Sequence, residues 1–134
     1  MGRTEGITKL PFPTTAPTNA QAGYVIAGPF RVDSMTGSTI VKGLRRIVLT
    51  LRSSHISAAD GLVFQALHQG DTTFFQWAHF THPAQTSTDP TTTYFVAVPE
   101  GIQGFQVLYT NSANVLTAWA GSIALVYDEQ AAVV

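Results

Sequence analysis

The chain predicts an all-β fold: a single β-sandwich, wired as a jelly roll of about eight antiparallel strands, with an extended N-terminal arm in front of it. Three observations predict this. Short apolar runs alternate with period two, most clearly over residues 45–52 and 62–68. Gly, Pro, Asp and Asn turn chemistry recurs between the runs at spacings of roughly 8–12 residues, the signal of a sandwich or barrel. No window holds a 3.6-residue period over the length a helix requires. At 134 residues, 45% of them hydrophobic, the chain can bury a core as one domain without staples.

Residues 1–22 form the predicted arm. Pro11, Pro13 and Pro17 lie in a Thr/Ala/Asn-rich stretch; proline fixes φ, removes a donor and biases the preceding residue toward extended backbone. No strand period is readable there, and Leu10 and Phe12 stand out as anchors. Residues 23–134 form the sandwich. Its first run, Tyr24–Val32, is interrupted by Gly28-Pro29, which marks an edge or bulged strand. Asp33-Ser34-Met35-Thr36-Gly37 is a turn, followed by a short strand at Thr39–Val41. Over Arg45–Arg52, Ile47, Leu49 and Leu51 share one face, opposite Arg46, Val48, Thr50 and Arg52. Ser54–Ala59 has room for one helical turn, and Asp60-Gly61 closes that loop.

In Leu62–His68, Leu62, Phe64, Ala66 and His68 alternate with Val63, Gln65 and Leu67. Gln69-Gly70-Asp71 is a tight hairpin turn into Thr73–Phe80, where Phe75, Trp77 and His79 oppose Phe74, Gln76, Ala78 and Phe80. A polar loop, Thr81–Thr92, precedes strands at Thr93–Val98, Phe105–Thr110 and Thr117–Tyr127. Pro99-Glu100-Gly101 and Thr110–Asn114 supply the intervening turns.

Charge is sparse and polarised. Only 11% of residues are charged, against roughly a quarter in an average domain. Every strong base (Arg3, Lys9, Arg31, Lys42, Arg45, Arg46 and Arg52) lies in the first 52 residues, while residues 53–134 carry acids only. Surfaces this poor in charge suit cover by other protein, with basic faces docking on acidic ones. A net charge of −1 argues against a generic nucleic-acid binder. Without cysteine, neither disulfides nor thiolate metal sites are available. No apolar run approaches the roughly 20 residues of a membrane span. The N-terminus lacks the apolar centre of a secretory signal, and Gly6 stands where myristoylation requires Ser or Thr. These features place synthesis in a cytoplasm.

Nothing in the sequence nominates catalysis. There is no Gly-x-Ser-x-Gly elbow, and Asp60, Asp71 and Asp89 sit beside turns, where Asp is favoured for backbone capping. His79 and His82 are three apart, which on a strand puts them on opposite faces, and no carboxylate or cysteine nearby completes a zinc set. Together with His55 and His68 they are expected as ordinary strand-end histidines; clustered at an interface, they would make assembly sensitive to acid. Gly43-Leu44-Arg45-Arg46 is a small basic knot without the helix N-terminus that phosphate binding favours. No enzyme, cofactor or metal is expected. The aromatic residues divide between core and an outward set, because Phe74/Phe75 and Tyr94/Phe95 are adjacent pairs. Outward aromatics suit an oligomer interface; the alternative is stacking of Trp77 or Trp119 on sugar rings.

Ala59–Asp71 running into Phe74-Phe75-Gln76-Trp77, with a later Phe105-Gln106-Val107-Leu108-Tyr109-Thr110 strand, resembles the small jelly rolls of tailed-bacteriophage virion proteins. The resemblance spans residues 45–127 and implies a capsid decoration, or cement, protein. Such proteins are typically homotrimers on the outer shell, with arms lying across the major capsid protein. Arg3, Lys9, Leu10 and Phe12 would then be the capsid-binding anchors, the partners the major capsid protein and further copies of the chain, and the location the outer capsid surface after assembly in the host cytoplasm. No nucleic acid or membrane partner is expected. A carbohydrate- or receptor-binding module of a phage tail or baseplate, using Trp77 and Trp119, is the alternative.

Overall fold

The structure, a computed structural model, describes residues 3–33, 40–86, 88 and 90–130. Its elements are the strands β1 (Arg3–Leu10), β2 (Tyr24–Arg31), β3 (Leu44–Ser53), β4 (Ser57–Leu67), β5 (Phe75–Phe80), β6 (Thr92–Ala97), β7 (Gly104–Asn111) and β8 (Trp119–Gln130). They form two antiparallel four-stranded sheets, ordered β1-β8-β3-β6 and β2-β7-β4-β5. The all-β sandwich expected from the alternation is the observed architecture.

The inward face follows from period two. Ile47, Leu49 and Leu51 of β3 and Ile123 and Leu125 of β8 are wholly buried, and Leu62, Phe64, Ala66, Phe105, Val107 and Tyr109 of the second sheet join them in the core. Each such large side chain contributes about 1.5–3 kcal/mol by leaving water.

The pairing is nested. The β4–β5 hairpin is innermost, and β3 pairs with β6, β2 with β7 and β1 with β8 around it. Contacts of β8 with β3 and of β7 with β4 complete the sheets. This wiring gathers the connections 11–23, 54–56, 81–91 and 112–118 at one end. Hydrogen bonds join them there, including Ala20 N–H to Ser112 O (3.0 Å), Ser54 N–H to Ala118 O (3.1 Å) and Gln85 N–H to Ser53 O (2.8 Å).

Several expectations differ from the structure. Arg3–Leu10, expected within a separate arm, is the edge strand β1, paired in register with β8 from Arg3↔Gln130 to Leu10↔Ile123. Its period is unreadable because Ile7 faces outward at 68% exposure while Gly6 carries no side chain. Ser54–Ala59 makes no helical turn; Ser54–His55 is a bend and β4 begins at Ser57. On β5 the pairing passes from Phe64↔Ala78 to Gln65↔Gln76 and skips Trp77. This bulge breaks the strict alternation, so Trp77 and Phe80, expected on opposite faces, both pack on Phe64. The Asp33–Gly37 turn lies, beyond Asp33, outside the described residues, as does Thr39 of the expected Thr39–Val41 strand, whose remaining residues Ile40 and Val41 are helical and not a strand; Asp89 is outside the described residues too.

Candidate functional site

The outer face of the first sheet combines exposed apolar residues with a few charged ones. Register sets its rows: Lys9, Ala124, Val48 and Phe95 lie side by side, and Ile7, Val126, Arg46 and Ala97 form the next row. Phe95 is 72% exposed and Ile7 68%. Thr50 and Thr93 pair across β3 and β6 through their hydroxyls at 3.0 Å. Lys9 and Arg46 supply positive charge on these rows, and Glu5 stands opposite Asp128 one row further. Tyr94 turns into the core while Phe95 turns out, which is the division that adjacent aromatics on a regular strand require.

Strand β6 is the edge of that sheet. Val98 N–H donates to Arg45 O at 2.9 Å, and in an antiparallel ladder bonded pairs alternate. With Ile47↔Val96 and Leu49↔Tyr94 in register, the backbone groups of Tyr94 and Val96 face β3, and those of Thr93, Phe95 and Ala97 face the open side. Trp77 Nε1–H donates to one of these, Ala97 O, at 3.0 Å. Among the described residues the outward N–H and C=O groups of Thr93 and Phe95 have no partner.

The second sheet presents a different face. Val25, Leu108, Val63 and His79 align across it, and Gln106 Nε2–H donates to Gln65 Oε1 at 2.7 Å. His79 Nδ1 lies 2.9 Å from Asp60 Oδ1 at the surface. His68 stacks on Phe75 at 4.3 Å. The four histidines are therefore dispersed, and no group of three or more potential ligands capable of holding a metal occurs among the described residues.

The residues nominated from sequence fall in three places. Lys9 is exposed on β1, whereas Leu10 and Phe12 pack against the core. Phe12 lies against Trp119 (5.7 Å between ring centroids), which also meets Tyr24 and Tyr109 edge-on at 5.5 and 5.0 Å. Trp119 Nε1–H donates to Pro13 O at 3.1 Å, and the Tyr24 hydroxyl donates to Thr15 O. Arg3 enters only through its backbone position opposite Gln130. Trp77 and Trp119 are both half-buried, with their indole N–H groups already donated to backbone carbonyls. The structure thus does not bring the nominated anchors together as one exposed patch, nor the two tryptophans as one platform. Phe95 and its edge were legible only as half of an ambiguous aromatic pair.

In sequence the four connections of the loop end carry one charged residue, Asp89, whereas those of the opposite end carry Asp33, Lys42, Asp71 and Glu100; the exposed strand residues Arg52, bonded to Gln85, and Asp60, whose N–H donates to the Thr81 hydroxyl, bring charge to the loop end. Ile56 and Val115 are exposed at its tips. Beneath them His82 is 1% exposed. Its N–H donates to Ser57 Oγ and its carbonyl accepts from Ser57 N–H, both at 2.9 Å, while Nδ1 lies 2.7 Å from the Tyr94 hydroxyl. Burial holds the imidazole well below its usual range, at about 4. Burial, reinforced by the neighbouring Tyr109, pushes the Tyr94 hydroxyl up to about 12. Burial also raises Tyr109, with Ser53 pulling the other way. The Ser53 hydroxyl donates instead to His55 O at 2.8 Å, and Tyr109 Oη is left without a hydrogen bond in this geometry.

Two open clefts lie at the opposite end. One, of about 670 Å³, is walled by Lys42, Arg45, Glu100 and Ile102; the other, of about 290 Å³, by Arg31, His68 and Asp71. The chain matches no known protein family, no curated protein sequence and no solved structure.

Proposed function

We propose that this chain is a structural virion protein, a capsid decoration (cement) protein of a tailed bacteriophage that binds the outer shell and bridges its subunits. The two-sheet antiparallel sandwich with nested strand pairing supports a jelly-roll reading, in keeping with this assignment. The observation that carries it is the kind of surface displayed: a strand-built body with 11% charged residues that exposes Phe95, Ile7 and Val25 on its sheets and Ile56 and Val115 at one end. Scattered exposed apolar residues are ordinary; combined with the low charge of the whole chain, they suit cover by protein on more than one side. The N-terminal segment in this proposal acts as part of the body, presenting Lys9 and Ile7 from β1. Self-association, three-fold on the resemblance, concentrates these contacts on the shell.

The test is to add purified protein to undecorated expanded shells of the parent phage and sediment them. Binding at a fixed stoichiometry, with a raised disassembly temperature of the shell, is expected. Protein that stays in the supernatant, with tryptophan fluorescence quenched by oligosaccharides, would replace this function with glycan recognition.

A further inference from the structure

We infer that β6 is a self-association edge, through which a second copy of this chain pairs antiparallel to extend the β1-β8-β3-β6 sheet. Unpaired strand edges are templates for further strands, and folds guard them with charge, proline, bulges or cover. Three of the four edges here are guarded. β1 carries Arg3, Glu5 and Lys9. β2 contains Gly28-Pro29 and two register shifts. β5 carries the bulge at Trp77. Strand β6, Thr-Thr-Tyr-Phe-Val-Ala, has no charge, proline, glycine or register break.

The occupant follows from the same residues. Pairing β6 with itself brings no like charges together, since Thr91, Val98 and Pro99 flanking it are also neutral. Trp77 already holds Ala97 O, so the open groups are those of Thr93 and Phe95. A two-fold axis beside Tyr94 places Thr93 opposite the second copy's Phe95 and engages all of them in four backbone hydrogen bonds. The two Phe95 rings then lie diagonally across the seam on the outer face, at a separation aromatic side chains can bridge. This is an isologous contact, distinct from the three-fold one that the resemblance implies. A six-residue strand gives a seam about 20 Å long and one sheet (about 10 Å) thick, on the order of 200 Å² per partner and short of the roughly 800 Å² of a stable complex. The dimer is therefore weak and concentration-dependent. The inference rests on the assembly proposal above only for its setting, a shell that holds copies close together.

The experiment is sedimentation of the full chain over a concentration series, with amide exchange followed at β6. The expected result is a monomer–dimer equilibrium in which the Thr93 and Phe95 amides gain at least tenfold protection with concentration, while those of Tyr94 and Val96 stay protected throughout. Phe95→Lys, and Phe95→Pro, which removes an N–H that β3 does not use, are expected to give monomers at every concentration with near-UV circular dichroism unchanged. A monomer at all concentrations, a trimer indifferent to Phe95→Lys, or a dimer whose Thr93 and Phe95 amides stay unprotected would each overturn the pairing. Shell binding by the Phe95→Lys monomer would overturn pairing as a requirement of function and leave the decoration role intact. Loss of shell binding by wild type with the dimer preserved would do the reverse.

Discussion

Lowering the pH from 7 to 5 is expected to destabilise this fold by about 2 kcal/mol through His82 alone. The imidazole is held at about 4 in the folded chain against 6.5 for the free side chain, so the unfolded state binds the proton more readily between these values. The stability that His82 contributes is complete above pH 6.5 and is lost as the pH falls toward 4. A separation of 2.5 in pKa corresponds to about 3 kcal/mol in full, with about 2 kcal/mol of it falling between pH 7 and 5. The groups facing His82 (the Tyr94 hydroxyl, the Tyr109 ring and Ser57) do not ionise in that window. Urea unfolding at half-unit pH steps, on wild type and His82→Gln, isolates this contribution: carboxylates titrate alike in both, and the difference curve belongs to His82. A difference curve flat within about 0.5 kcal/mol from pH 7 to 5 would falsify the assignment. Should the glutamine variant fail to fold, the imidazole carbon chemical shifts of wild type decide the matter, because a His82 titrating near 6.5 contradicts burial as the controlling factor.

Tyr109→Phe removes a buried hydroxyl that has no hydrogen-bond partner, and is expected to leave the unfolding free energy unchanged or raise it, by up to about 1–2 kcal/mol, as read by urea unfolding; a clear loss of stability would mean that Ser53 bonds it after all. Gly121→Ala drives a Cβ into the Thr50 carbonyl of the paired strand and to 2.8 Å from the Phe12 ring, so it is expected to distort the β3–β8 ladder as well as displace Phe12 from Trp119, at a cost of at least about 3 kcal/mol, with the urea midpoint and Trp119 fluorescence as readouts. Deletion of residues 1–22 removes β1 and uncovers Trp119 and the outer edge of β8; aggregation or loss of cooperative unfolding is expected, and a truncated chain with wild-type stability would show that β1 contributes nothing to the sheet.

How much of this was legible from residues alone varied along the chain for physical reasons. Where one face is buried and the strand is regular, as at Ile47, Leu49 and Leu51, period two gives both the element and its inward side. β5 defeats that logic because Trp77 is bulged, and no local signal in Phe-Gln-Trp-Ala-His-Phe announces it. β1 is invisible because edge strands need bury little, and its partner lies more than a hundred residues away. The site divides similarly. Sequence could say that either Tyr94 or Phe95 faces out, yet only the sheet order makes β6 an edge. The nominated Phe12 and Trp119 are found packed on each other, a contact between residues more than a hundred positions apart that no local pattern announces.

The register Arg3↔Gln130 has a kinetic consequence. β1 cannot find its place until β8 has been made, and the same delay, in diminishing degree, applies to β2 with β7 and β3 with β6. Only the β4–β5 hairpin closes from near neighbours. Chains dominated by such distant partners fold slowly, on milliseconds to seconds, because loop closure must precede any gain from contact. During that interval β3, with its uninterrupted Ile-Val-Leu-Thr-Leu run, waits uncovered between two strands not yet present. Its flanking Arg45, Arg46 and Arg52 then serve as gatekeepers, repelling other nascent copies until β8 arrives to claim the strand.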